Sequence, residues 1–257
     1  MTGNPNTPET PPRTSPRGPD LSQEVPDPRR APATLDAEVA HFIAKMKSEM
    51  PAATKQRGRL IFAMDATMSR APTWDLALNQ QSSMFAAVRD VGGLDVQLVY
   101  FRGFGECRAS KWVSDPDALA GLITTMQCRG GQTQLARVLS HARSEAELGR
   151  VNALVYVGDA MEESVDAICS KAGELSLQGV PVFLFQEGMN TDATAAFKEI
   201  ARITRGAHCM FDEGSARQLR ELLTAVAVYA AGGRVALERL SQEAGTSAAR
   251  LLLGQIK

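Results

Sequence analysis

Histidine is scarce in this sequence, cysteine is scattered, and no apolar run is long enough for a membrane. Only three histidines occur, His41, His141 and His208, and none pairs at the short spacing of a zinc ligand set. The four cysteines, Cys107, Cys128, Cys169 and Cys209, show no C-x-x-C pair. That pattern favours reduced thiols in a cytoplasmic protein over a disulfide scaffold. No apolar run reaches the roughly 18 residues of a membrane helix, and the polar, proline-rich start has no signal-peptide core. Neither sign of charge dominates. A formal net charge of -1 gives no reason to expect nucleic acid or an anionic membrane as a partner. The phosphate loop G-x-x-x-x-G-K-[ST] is missing, and so is a G-x-S-x-G elbow that His141 could serve. No repeat of solenoid type is present.

What remains is ample for one folded domain with appendages: 257 residues, 44% of them hydrophobic. Residues 1–33 hold nine of the thirteen prolines and almost no large apolar side chains. Such a segment cannot offset its ordering entropy, so it reads as a disordered arm. Its Thr7-Pro-Glu-Thr-Pro-Pro-Arg13 stretch reads as linker rather than as a polyproline ligand. Residues 34–57 form an amphipathic helix and linker. Thr34 is its cap, and Leu35, Val39, Phe42, Ile43 and Met46 make an apolar stripe. Residues 58–231 form the main domain, and 232–257 a helical tail divided near Gly245, after a break at Gly232-Gly233.

Within the domain, apolar runs predict strands over 60–64, 95–101, 152–157 and 180–185, with weaker ones over 107–113 and 207–211. Helices are expected between them. One is opened by Ala71-Pro72 and another by Asp115-Pro116. Others follow Thr133, run from about Glu162 to Leu177, and span about Asp192 to Thr204. The last opens at a capping box, Ser215-x-x-Gln218. Alternating strands and helices predict an α/β fold: a doubly wound, mostly parallel six-stranded sheet with helices on both faces.

The run over 60–64 ends in Asp65, Thr67 and Ser69, three oxygen-bearing side chains at alternate positions. Taken alone, they serve equally well as a turn into the next helix. Two further features bear on them. Thr133 follows the glycine loop Arg129-Gly-Gly-Gln, and Asp159 follows the strand over 152–157. In an open parallel sheet, ligands bind beyond the carboxyl ends of the strands where strand order reverses. With the common order 3-2-1-4-5-6, Asp65 and Asp159 flank that crevice. Two carboxylates and three hydroxyls suit a hard divalent cation. Gly130 and Gly131 are expected to let the backbone bend beside it.

Asp65-x-Thr67-x-Ser69, then Thr133, then Asp159, resembles the metal-ion-dependent adhesion site of the von Willebrand factor A domain, in its intracellular bacterial type. Thr67 stands where that family usually has serine, and Gln132 is inserted before the threonine. The resemblance spans about residues 58–231. It implies a Rossmann-like A-domain fold and a binding module rather than an enzyme. It implies Mg2+ or Mn2+ held directly by Thr67, Ser69 and Thr133 and partly through water by Asp65 and Asp159. It implies a protein partner whose aspartate or glutamate completes the shell. Work beside an AAA-type ATPase, or in metal-stress or cofactor-insertion systems, is the setting it suggests.

Two other readings compete. A magnesium-dependent phosphohydrolase or phosphotransferase of haloacid-dehalogenase type would use Asp65 as nucleophile and Asp159 with Glu163 as metal ligands. It lacks the second carboxylate of the first motif, where Thr67 stands. An A-type domain with an unused ion site would be a scaffold. Trp74 and Phe104 read first as core anchors and second as a rim that contacts a partner. Glu162 and Glu163 read first as favourable charge at a helix N-terminus and second as support for the residues that hold the ion.

Overall fold

The computed structural model describes residues 33–49, 57–67, 93–115, 118, 128–211 and 216–256. The proline-rich arm up to residue 32, the helix expected from Ala71, and nearly all of that expected from Asp115 lie outside them.

Six strands form one sheet: β1 (Gly58–Asp65), β2 (Leu94–Arg102), β3 (Glu106–Ala109), β4 (Ala153–Gly158), β5 (Val182–Glu187) and β6 (Ala207–Phe211). Their order is β3-β2-β1-β4-β5-β6. All neighbours run parallel except β2 and β3, which pair antiparallel at one edge. β1 is central because it can be buried on both faces. Leu60, Phe62 and Met64 enter one core and Ile61 and Ala63 the other, as the two-residue period of a strand requires. Each large side chain so buried contributes about 1.5–3 kcal/mol.

β3 has no buried residue, which suits an edge. It is shorter than the expected 107–113. Ser110 explains the stop: its backbone N–H donates to Leu98 O at 2.8 Å, while its Oγ accepts from Leu98 N at 3.0 Å. A hydroxyl thus takes over a backbone position of the ladder. The chain rejoins β2 through a bridge between Val113 and Val96.

Helices cover both faces. On one lie α1 (Ala33–Glu49), α5 (Ala216–Glu243) and α6 (Ser247–Leu253); on the other lie α2 (Leu135–Leu148), α3 (Val165–Leu177) and α4 (Thr191–Thr204). α1 begins one residue before Thr34, its expected cap, and buries Phe42 and Ile43 from its stripe. Lys45 of α1 meets Glu243 of α5 at 3.0 Å. The break expected at Gly232-Gly233 is a kink inside α5, where Gly233 adopts φ 68°. Ser215 of the expected capping box lies outside the described residues. Among the described residues, no helix is long and apolar enough to cross a membrane.

A polar staple fixes the far end of α2. Glu145 accepts from Trp112 Nε1 at 2.7 Å, from Arg59 Nη2 at 2.9 Å and from Gln97 Nε2 at 3.3 Å. Burial alone would raise this carboxyl. The bonds from Trp112 and Gln97, with His141 and Arg59 nearby, more than offset it and hold it below its ordinary range.

Candidate functional site

β1 and β4 are neighbours on opposite sides of the point where strand order reverses. Their register pairs Met64 with Val157, so Asp65 lies level with Gly158 and one step short of Asp159. Adjacent strands lie about 4.8 Å apart. Both residues therefore stand at the same edge of the sheet, at the ends of neighbouring strands.

Asp65 is fully buried. Its Oδ1 accepts from Thr67 N at 2.8 Å, which turns the chain and orients the carboxylate. Residues 66 and 67 continue between two neighbours rather than turning away at once. Ala66 N donates to Phe101 O at 3.0 Å, and Arg129 N donates to Ala66 O at 3.1 Å. Thr67 and Arg129 form a parallel bridge. The glycine loop is thereby tied to the end of β1.

The other end of that loop is tied to the end of β4. Thr133 is buried; its N–H donates to Glu162 Oε2 at 2.8 Å, while its Oγ1 accepts from Glu162 N at 3.1 Å. This reciprocal clasp holds the threonine three residues along the chain from Asp159. Glu163 continues it: its carboxylate accepts from Leu135 N at 2.5 Å and Ala136 N at 3.1 Å, the first two amides of α2. Burial pushes the Glu163 carboxyl above its ordinary value, against the pull of those amides.

Asp159 Oδ1 is buried with no hydrogen-bond partner among the described residues. A dry carboxylate oxygen without a donor costs free energy unless something else meets it. No cluster of three or more histidine, cysteine, aspartate or glutamate side chains suited to a metal occurs among the described residues. The donors gathered here are instead two carboxylates and two hydroxyls, all of them oxygen.

No family model matches the chain, and no curated protein matches it in sequence. Solved structures do match it in fold. A von Willebrand factor type A protein from Catenulispora acidiphila superposes with a TM-score of 0.56 at 12% identity, over 68% of this chain and 43% of that one. The SpRpn10 VWA domain superposes with a TM-score of 0.52 at 11% identity, over 66% of this chain and 94% of that one. The fold is that of the von Willebrand factor A domain. An aerotolerance-related membrane protein from Bacteroides fragilis, crystallised with multiple mutations to serines, also matches, with a TM-score of 0.54 at 14% identity, over 66% of this chain and 98% of that one.

On this A-domain fold, Asp65, Thr67, Thr133 and Asp159 come to one edge through adjacent strands and tied loops. Ser69 and Trp74 lie outside the described residues. The structure corrects two expectations, the start of α3 and the place of Phe104. α3 starts at Val165, not near Glu162, so the helix N-terminus that Glu163 meets is that of another helix. The two glutamates reach to Thr133 and to the start of α2, which has no side-chain cap of its own. The chain bends at Gly130, as expected, though neither Gly130 nor Gly131 takes a positive φ. A side chain at Gly131 would meet Gly103 O at 2.2 Å, so that glycine serves close loop-to-loop packing. Phe104 is no core anchor: it is 86% exposed. The clasp was not visible in sequence, because its partners stand 29 residues apart in no recognisable pattern.

Proposed function

We propose that this chain is a non-enzymatic protein-interaction module that binds Mg2+ or Mn2+ through Asp65, Thr67, Thr133 and Asp159, with Ser69 as a further ligand. The cation in turn captures an aspartate or glutamate of a protein partner. The observation that carries this reading is Asp159 Oδ1, buried and without a partner among the described residues, at the end of the strand neighbouring that of Asp65 at the reversal of strand order. The donor chemistry fits: a hard cation takes oxygen ligands, and magnesium keeps several waters when few protein carboxylates reach it. When bound, such a cation supplies a positive centre with positions left for water and for an outside carboxylate.

The chain's own residues supply the preorganisation. The Thr67 amide fixes Asp65, the Glu162 backbone fixes the Thr133 hydroxyl, and the Gly131–Gly103 contact fixes the loop between them. The phosphohydrolase alternative gains no support from Glu163, whose two oxygens are engaged by the first amides of α2. We place the acid-bearing partner among AAA-type ATPases and the proteins they act with, the setting that the resemblance to bacterial A domains suggests.

The test is a melting series in EDTA, in millimolar Mg2+ and in millimolar Mn2+. A cation bound only by the folded state adds about 2.7 kcal/mol at a hundredfold excess over its Kd. The wild-type chain should melt higher with either cation, and Asp65→Ala should not respond. A wild-type curve indifferent to both cations, or an Asp65→Ala curve that responds as strongly, would overturn the proposal.

A further inference from the structure

Phe104 stands at the tip of the β2–β3 turn between Gly103 (φ 61°) and Gly105 (φ 148°). An exposed aromatic on a loose loop needs no explanation. This turn is not loose. Gly103 O accepts from Gln132 N at 3.4 Å and from Gln134 Nε2 at 3.2 Å, and Gly105 O accepts from Arg137 Nη1 at 2.6 Å. The ring is thus held out in water by the same loop that carries Thr133. Side chains that are apolar and prepositioned lose little entropy when a partner covers them.

The charge around this ring has one sign in excess. Arg102 at 2.9 Å, Arg129 at 3.8 Å and Arg108 at 4.0 Å surround the single carboxylate of Glu106. Two guanidiniums of the hairpin and one of the glycine loop for one carboxylate leave this corner positive, which steers an acidic segment toward it. Two other exposed apolar side chains, Val165 and Met189 (84% exposed), follow β4 and β5 at the same edge of the sheet.

We propose that Phe104 is the apolar anchor of a docking rim beside the metal site. Its occupant is a partner segment that carries a large apolar side chain within a few residues of the captured aspartate or glutamate. This inference rests on the metal-site reading and adds the neighbouring residue to it. The acid enters at the cation, the apolar side chain packs on Phe104, and Arg108 and Arg129 draw in the surrounding negative charge.

The experiment is selection of a randomised peptide library, displayed on phage, against the full chain in Mg2+, repeated with Phe104→Ser, with Thr133→Ala, and in EDTA. Because the ring is exposed, Phe104→Ser should leave the melting temperature unchanged. The wild-type chain should enrich peptides with an acid and a nearby Phe, Leu, Ile, Met or Trp. Phe104→Ser should keep the acid, lose the apolar preference, and bind the enriched peptide at least tenfold more weakly. Acid enrichment without an apolar preference, or one that Phe104→Ser leaves intact, overturns the rim while the metal site stands. Enrichment that ignores both EDTA and Thr133→Ala overturns the metal reading and the rim with it.

Discussion

Asp159 keeps one buried oxygen with nothing donating to it among the described residues. On the proposed reading, the cost of such a group is stability given up for metal binding. Asp159→Asn should therefore raise the metal-free stability by about 1 kcal/mol and abolish the response to Mg2+, measured by denaturant unfolding with and without the cation. His208 gives a second residue-scale expectation. Burial, with Lys198 nearby, pushes its imidazole down to about 4 from 6.5. The unfolded chain then binds a proton that the folded chain refuses. This group's contribution should be lost as pH falls from about 6.5 towards about 4, by at most about 1.4 kcal/mol per pH unit. His208→Gln should flatten that slope in urea titrations across this range. The four described site residues were legible as oxygen donors placed after apolar runs or a glycine loop. Phe104 was misread because a lone aromatic in a loop carries no sign of which way it faces.

α2 begins without a side-chain cap and without an acidic residue in its first turn. Its exposed amides are met by Glu163, from the loop after β4, instead. A carboxylate at a helix N-terminus is worth about 1–2 kcal/mol when it both accepts hydrogen bonds and meets the helix dipole. Glu163→Ala should cost about that much, and hydrogen exchange at Leu135 and Ala136 should speed up ahead of the rest of α2. The contact of Gly131 with Gly103 is the second element-scale device. Gly131→Ala would force two backbones apart and should cost about 1–3 kcal/mol, with weaker Mn2+ binding in calorimetry because Thr133 shifts with the loop. Neither device was readable in the sequence. Each joins residues that are remote in the chain, and no periodicity records such a pairing. The glycine pair was visible, but its purpose depends on what packs against it.

At the scale of the molecule, the order β3-β2-β1-β4-β5-β6 decides where a ligand can sit. That much was legible. Continuous apolar runs mark strands buried on both faces, and helical stretches between them force parallel pairing with crossovers. The weaker edge strand was legible too, though not its early end, because Ser110 stops the ladder with a side chain rather than with a proline or glycine. With the sheet fixed, the ends of β1 and β4 must meet at the reversal, and the glycine loop is sewn to both. The most direct test is an anomalous difference map from crystals soaked in Mn2+. One Mn2+ should lie at the carboxyl ends of β1 and β4, within coordination distance of Asp65, Thr67, Thr133 or Asp159, and be lost in Thr133→Ala. A map with manganese only elsewhere on the molecule, or with none at saturating concentration, would contradict the account.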